Sequence, residues 1–181
     1  MTEEKQQYEG QVSPSRVEPP RQYIGVKRVS AQKMNRGDYN EFRGWDIPSD
    51  ENPEDEGYLV EYPDGYISWC PKKQFEEANR PIDRMTFGHA VEAMKKGYRV
   101  ARKGWNGKGM WIVYMSGMSL PPRSDQSTER KVNDRTAKWI GEDTPLETLP
   151  YIAMWTADKK WLPGWLASQT DMLAEDWMIV V

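Results

Sequence analysis

Between Thr86 and Gly97, apolar side chains at Phe87, Ala90, Val91 and Met94 lie three and four residues apart. That three-and-four spacing gives a helix one buried face. Thr86 offers a side-chain oxygen to the first free amides of this helix, and Gly97 closes it in the favoured C′ role. Other apolar runs are short and rich in aromatic and β-branched residues, the mark of strands. Residues 98–102, 110–115 and 177–181 read as strands, the second of them buried on both faces. Residues 58–62 and 66–70 flank Pro63-Asp64-Gly65, a turn signal that predicts a hairpin. Residues 151–156 and 160–162 flank Ala157-Asp158-Lys159 in the same way.

Upstream, residues 23–29 read as a strand and 35–42 as a short helix that stops at Gly44. An acidic, Pro-containing loop follows over 48–57. Pro71 suits the first position of a helix carrying Phe75 and Ala78, and Asn79-Arg80-Pro81 ends it. The fold class is therefore α+β. A small antiparallel sheet with one main helix occupies residues 82–181, preceded by a small α+β unit over 22–81. Residues 1–21, rich in Gln, Glu, Pro and Ser, bury too little apolar surface to order themselves and read as a flexible tail. Residues 116–149 are long for a simple connection and predict a helix around 128–139. No internal repeat is evident.

Composition sharpens this. The chain has nine Trp and nine Tyr but only three Phe, so most of its rings carry a polar handle suited to a surface where apolar and polar groups meet. The charge is uneven. Residues 1–83 hold 11 Lys and Arg against 17 Asp and Glu, and residues 84–181 hold 14 against 11. The second part is mildly basic, which favours an anionic ligand but falls short of a duplex-binding stripe. One Cys, Cys70, excludes an internal disulfide and fits a reducing compartment. The polar, acidic N-terminus and the lack of a long apolar run predict a cytoplasmic protein that does not meet a membrane.

Two segments carry candidate chemistry. The first is Arg102-Lys103-Gly104-Trp105-Asn106-Gly107-Lys108-Gly109. Its glycines let backbone amides approach a ligand, its Trp can stack a base, and its cations suit phosphate. It is neither a P-loop nor a dinucleotide fingerprint. On chemistry alone, a hairpin turn with an exposed Trp is the commoner meaning. The second is Ser168-Gln169-Thr170-Asp171-Met172-Leu173-Ala174-Glu175-Asp176-Trp177. Ser168 and Asp171 match a capping box, a complete structural explanation by itself. Helix N-termini also receive anions, and an Asp there accepts from ribose hydroxyls or base amines. The clustered acids Asp171, Glu175 and Asp176 match a carboxylate pair for hydrolysis less well than a solvated face. His89 is the sole histidine, read as solvent-facing. A His/Cys zinc site is close to excluded, and a Cys70–His89 dyad or Ser-His-Asp arrangement would have to use that one residue.

Four stretches then resemble one family: residues 85–97, residues 100–107 including Val100-Ala101-Arg102-Lys103-Gly104-Trp105-Asn106-Gly107, Pro150-Tyr151-Ile152-Ala153-Met154, and residues 169–177. Their order and content are similar to the Thoeris anti-defence type two family of phages, over about residues 84–181. His89 stands where an acidic residue would complete a capping box, and 116–149 has no matching pattern. Residues 22–80 resemble a segment of other small phage proteins, a resemblance that implies no particular activity.

The resemblance implies a non-enzymatic sponge without cofactor or metal. Its partner would be a cyclic nucleotide signal made by host TIR enzymes, glycocyclic ADP-ribose, and for some members cyclic oligonucleotides of CBASS defence. It also implies a homotetramer with pockets between protomers. Trp105 would stack on the base, and Arg102 and Asn106 would contact phosphate or ribose. Gln169, Thr170, Asp171 and Met172 would form the opposite wall. Two alternatives remain from the residues: a hydrolase using Asp171 or Asp176, and a structural module whose tryptophans bind a partner protein.

Overall fold

The computed structural model describes Gln22 and residues 25–181. The tail assigned to 1–21 lies outside the described residues, as do Tyr23 and Ile24 of the first expected strand. The fold is α+β, with antiparallel sheets of three, five and two strands.

The first sheet has the order β1 (Ser30–Lys33), β2 (Gly57–Glu61), β3 (Ile67–Pro71). β1 corrects the strand expected at 23–29, since residues 25–29 have no regular structure. The reason is physical. β1 is an edge strand whose four side chains are all exposed, so it leaves no apolar alternation to read. The β2–β3 hairpin turns at Gly65, which has φ 84°, while Asp64 accepts the Tyr66 amide at 3.1 Å. Gly57 is fixed by crowding. A Cβ there would lie 2.6 Å from the Cys70 carbonyl oxygen and run into the Trp69 ring.

Helix α1 (Arg36–Arg43) starts where Asn35 accepts the Asp38 amide at 2.7 Å and stops at Gly44, which has φ 67°. The acidic loop after it is pinned back by Glu51, which accepts from Arg36 Nε at 2.6 Å and from the buried Asn40 at 3.0 Å. Helix α2 (Lys72–Ala78) lays Phe75 on Tyr58, ring centroids 4.2 Å apart. Pro71 is its N-cap and the last residue of β3 rather than its first helical residue.

The second sheet contains β4 (Val100–Arg102), β5 (Trp111–Met115), β8 (Tyr151–Trp155), β9 (Trp161–Pro163) and β10 (Trp177–Ile179), in the order β10-β4-β5-β8-β9. Helix α3 (Phe87–Lys95) packs its Ala90, Ala93 and Met94 on one face, against Val100, Ile112, Met154 and Trp177. Trp177 is fully buried, which removes enough apolar surface from water to contribute on the order of 4 kcal/mol. His89 is half-buried rather than solvent-facing, and its Nδ1 lies 2.7 Å from the hydroxyl of the cap residue Thr86. β5 is not buried on both faces. Ile112 faces the core, whereas Trp111 and Val113 on the other face are only partly covered. On that face Trp111, Trp155 and Trp161 occupy paired register positions on β5, β8 and β9. Trp111 and Trp155 stack at 5.9 Å, and Arg99 lies over Trp111.

Between β5 and β8 the chain forms a two-stranded sheet, β6 (Ser119–Leu120) with β7 (Leu146–Glu147), and helix α4 (Asp134–Ile140). The helix is shorter than the 128–139 expected, because Asn133 caps it by accepting the Thr136 amide at 2.9 Å. Val132 and Ala137 are buried and anchor this excursion. The irregular segment leading into the first sheet touches residues beside the second. The carbonyl of Val26 accepts from Lys96 Nζ at 2.9 Å, and Arg28 donates to the Tyr98 hydroxyl at 2.8 Å.

Candidate functional site

β4 and β10 lie side by side with Arg102 paired to Trp177. That pairing joins the two segments singled out in the sequence, because the glycine-rich turn follows β4 and the acidic run precedes β10. Ser168 and Asp171 form the expected capping box on the short helix α5 (Gln169–Met172), with the Asp171 amide donating to Ser168 Oγ at 3.1 Å.

Asp171 is the hub. Its Oδ2 accepts from the Ser168 amide at 3.2 Å and the Ser168 hydroxyl at 2.7 Å. Its Oδ1 accepts from Arg102 Nη1 at 3.0 Å and from the Trp105 indole N–H at 3.1 Å. All four of its acceptor positions are filled, so within one chain it has no lone pair left for a ligand hydroxyl. Burial pushes its carboxyl up, but hydrogen bonds from Ser168, Trp105 and Arg102 outweigh burial and hold its pKa at about 2, against an ordinary 3.8. Arg102 also donates to Asp176 through Nε at 2.8 Å and to the Thr170 carbonyl at 3.3 Å. That bond, helped by the Gly104 amide, holds the Asp176 carboxyl below its usual range despite burial. One guanidinium thus meets two carboxylates, and the trio carries a net negative charge. Two ionised, hydrogen-bonded carboxylates are poor proton donors at neutral pH, which disfavours the hydrolytic pairing.

Trp105 is half-buried. Its ring meets Trp165 and Trp177 edge-on, with centroids 6.0 Å and 5.5 Å away. The indole is therefore fixed by its N–H at one edge and by two rings around it, while part of its surface remains open to solvent. Asn106, Gln169, Thr170 and Met172 are exposed on the same two segments, as are Lys103 and Lys108. Arg102, Trp105 and Asp171 are thus in direct contact, Thr170 joins them through its carbonyl, and the remaining three site residues flank them. The sequence pointed to Asp176 only as a hydrolytic alternative or a solvated acid, and gave no role to Trp165. Asp176 looked like one of three solvated acids, and its only local signal is its place just before the strand that pairs with Arg102. Trp165 carried no signal beyond its residue type.

Trp105 is packed against the core of the second sheet on one side. A cavity of about 590 Å³ lies elsewhere, beside α1, lined by Asp38, Glu41, Trp45, Asp46, Ile47 and Glu54 among others. Among the described residues, no group of three or more His, Cys, Asp or Glu is placed to hold a metal ion, and no helix is long and apolar enough to cross a membrane.

The profile of the Thoeris anti-defense 2-like domain matches residues 85–180, which span all of the second sheet and both site segments. The protein named Thoeris anti-defense 2 from Bacillus phage SP01 is 37% identical over 97 residues, 54% of this chain and 96% of that protein. The family profile leaves the first sheet outside it and covers α3, the Trp105 turn and the closing run. The chain belongs to the Thoeris anti-defense 2-like family.

Proposed function

We propose that this chain is a phage anti-Thoeris protein that captures a host cyclic nucleotide signal, glycocyclic ADP-ribose or a related cyclic oligonucleotide, and withholds it without cleavage. It acts in the host cytoplasm. The observation that carries this reading is the Trp105 indole, held by Asp171 with part of its ring open, within a domain whose relative is named for counteracting Thoeris. A fixed indole suits stacking on a base, and the ionised state of both nearby aspartates suits binding better than acid catalysis. Trp105 stacks the base, and Asn106, Gln169, Thr170 and Met172 meet the sugar and phosphates. Arg102 and Asp171 set the geometry of that surface.

Energetics favour assembly. Tight capture at about 10 nM needs roughly 11 kcal/mol, and one stacked base supplies about 1–3 kcal/mol. One stacked base leaves most of that to be supplied, and a pocket closed by a second copy excludes water and adds contacts. The partly covered tryptophan row on β5, β8 and β9 supports such packing, and the homotetramer implied by the family resemblance is the assembly we propose.

The test is to incubate the protein with a panel of cyclic nucleotides, wash, denature, and identify what is released by mass. Intact messenger supports sequestration. Cleaved ADP-ribose would assign a hydrolase instead, and release of nothing would leave a protein-binding module.

A further inference from the structure

Asp176 grips three consecutive residues where β4 runs into the turn that presents Trp105. Its Oδ1 accepts from Arg102 Nε at 2.8 Å. Its carbonyl accepts the Lys103 amide at 3.1 Å, and its Oδ2 accepts the Gly104 amide at 2.7 Å. The fit is close. A Cβ on Gly104 would stand 2.8 Å from Asp176 Oδ2, so only glycine lets the backbone come this near. Beyond Gly104 the turn contains Gly107 and Gly109, and glycine-rich backbone has many conformations to lose on ordering. Such a turn holds one shape only if fixed points hold it. Asp171 provides one of these at the indole itself, and Asp176 provides the other at the root.

We propose that Asp176 is a positioning residue for Trp105: it locks the root of the glycine-rich turn so that the indole is presented in one orientation before ligand arrives. This rests on the reading of Trp105 as the base-stacking residue. Asp176 is about one-third exposed and lies outside the hydrophobic core, between α5 and β10. Its side chain therefore acts through Arg102 and Gly104 rather than through packing. Without it, only those chains whose turn happens to be closed can bind, and apparent affinity falls by that fraction.

The test compares the full-length wild-type chain with Asp176→Ala and Asp176→Asn, using glycocyclic ADP-ribose as probe. Asp176→Ala should weaken binding by about tenfold or more, chiefly through slower productive association. Hydrogen exchange at the Gly104 amide should rise by a similar factor, while exchange across β4 and β10 stays near wild type. Asp176→Asn keeps an oxygen for Gly104 but loses the charge opposite Arg102, so it should fall between the two, and it serves if the alanine variant does not fold. Wild-type affinity together with wild-type Gly104 exchange in the alanine variant would overturn the proposal. So would a loss of protection spread evenly over β4 and β10, which marks a general structural role. If the wild-type chain binds none of the probe, the binding reading falls, and Gly104 exchange still decides whether Asp176 locks the turn.

Discussion

Replacing Asp171 with Asn should destabilise the C-terminal sheet in a way that depends on pH. The wild-type carboxylate receives four hydrogen bonds, from the Ser168 amide and hydroxyl, Arg102 and Trp105. They outweigh burial and hold its pKa at about 2 rather than 3.8. At roughly 1.4 kcal/mol for each pKa unit, that difference is worth about 2 kcal/mol of folding stability. A carboxyl whose folded pKa is depressed stabilises fully above its unfolded value. The contribution is therefore complete well above pH 3.8 and disappears as pH falls toward 2. Asn is isosteric and never ionised, and one end of its amide presents donors to groups that are themselves donors. Urea unfolding of both proteins, followed by tryptophan fluorescence over this range, gives the comparison. The difference between them is the informative quantity, because the other carboxylates titrate in both. It should be about 2 kcal/mol at pH 7 and shrink toward zero near pH 2. A difference that stays constant with pH would refute the idea that the ionised carboxylate organises this cluster.

Trp105→Ala should abolish messenger binding while leaving the circular dichroism spectrum intact, at a stability cost of about 2 kcal/mol for a half-buried ring; unchanged affinity would remove Trp105 from the site. Gly57→Ala should destabilise the N-terminal sheet by about 1–3 kcal/mol, because the new methyl group meets the Cys70 carbonyl and the Trp69 ring. Limited proteolysis should then begin within residues 30–78, with ligand affinity preserved. Arg102 is compensated by two carboxylates, so the exposed Lys103 and Lys108 should carry the salt-sensitive part of anion binding. The double Lys→Gln variant should flatten the dependence of Kd on salt, and an unaltered dependence would place the phosphate contacts elsewhere.

The elements that could be read from sequence are those whose own residues state their geometry. Helix α3 announced its buried face by spacing and its start by Thr86, and the β2–β3 hairpin announced its turn by Asp64-Gly65. The capping box at Ser168 and Asp171 was legible for the same reason. Elements held by partners far along the chain were not. β1 is exposed throughout and carries no large apolar side chain, and it is a strand only because β2 lies beside it. β6 and β7 are two residues each and exist only as a pair. At the candidate site both segments were recognisable, but their bonding was not. Nothing local tells that Asp171 will be saturated by Arg102 and Trp105, or that Asp176 will reach back 72 residues to Gly104.

The contacts of Val26 with Lys96 and of Arg28 with Tyr98 bear on how two such pieces come to share one polypeptide. Lys96 and Tyr98 precede β4, whereas the turn carrying Trp105 follows it. At about 3.3 Å per residue, this three-residue strand separates the two ends by roughly 10 Å. The appended piece is thus fastened at the opposite end of β4 from the turn. A join at that end keeps the leading sheet clear of the Trp105 turn, so a change such as Gly57→Ala can loosen one sheet while the geometry around Trp105 stays as it is.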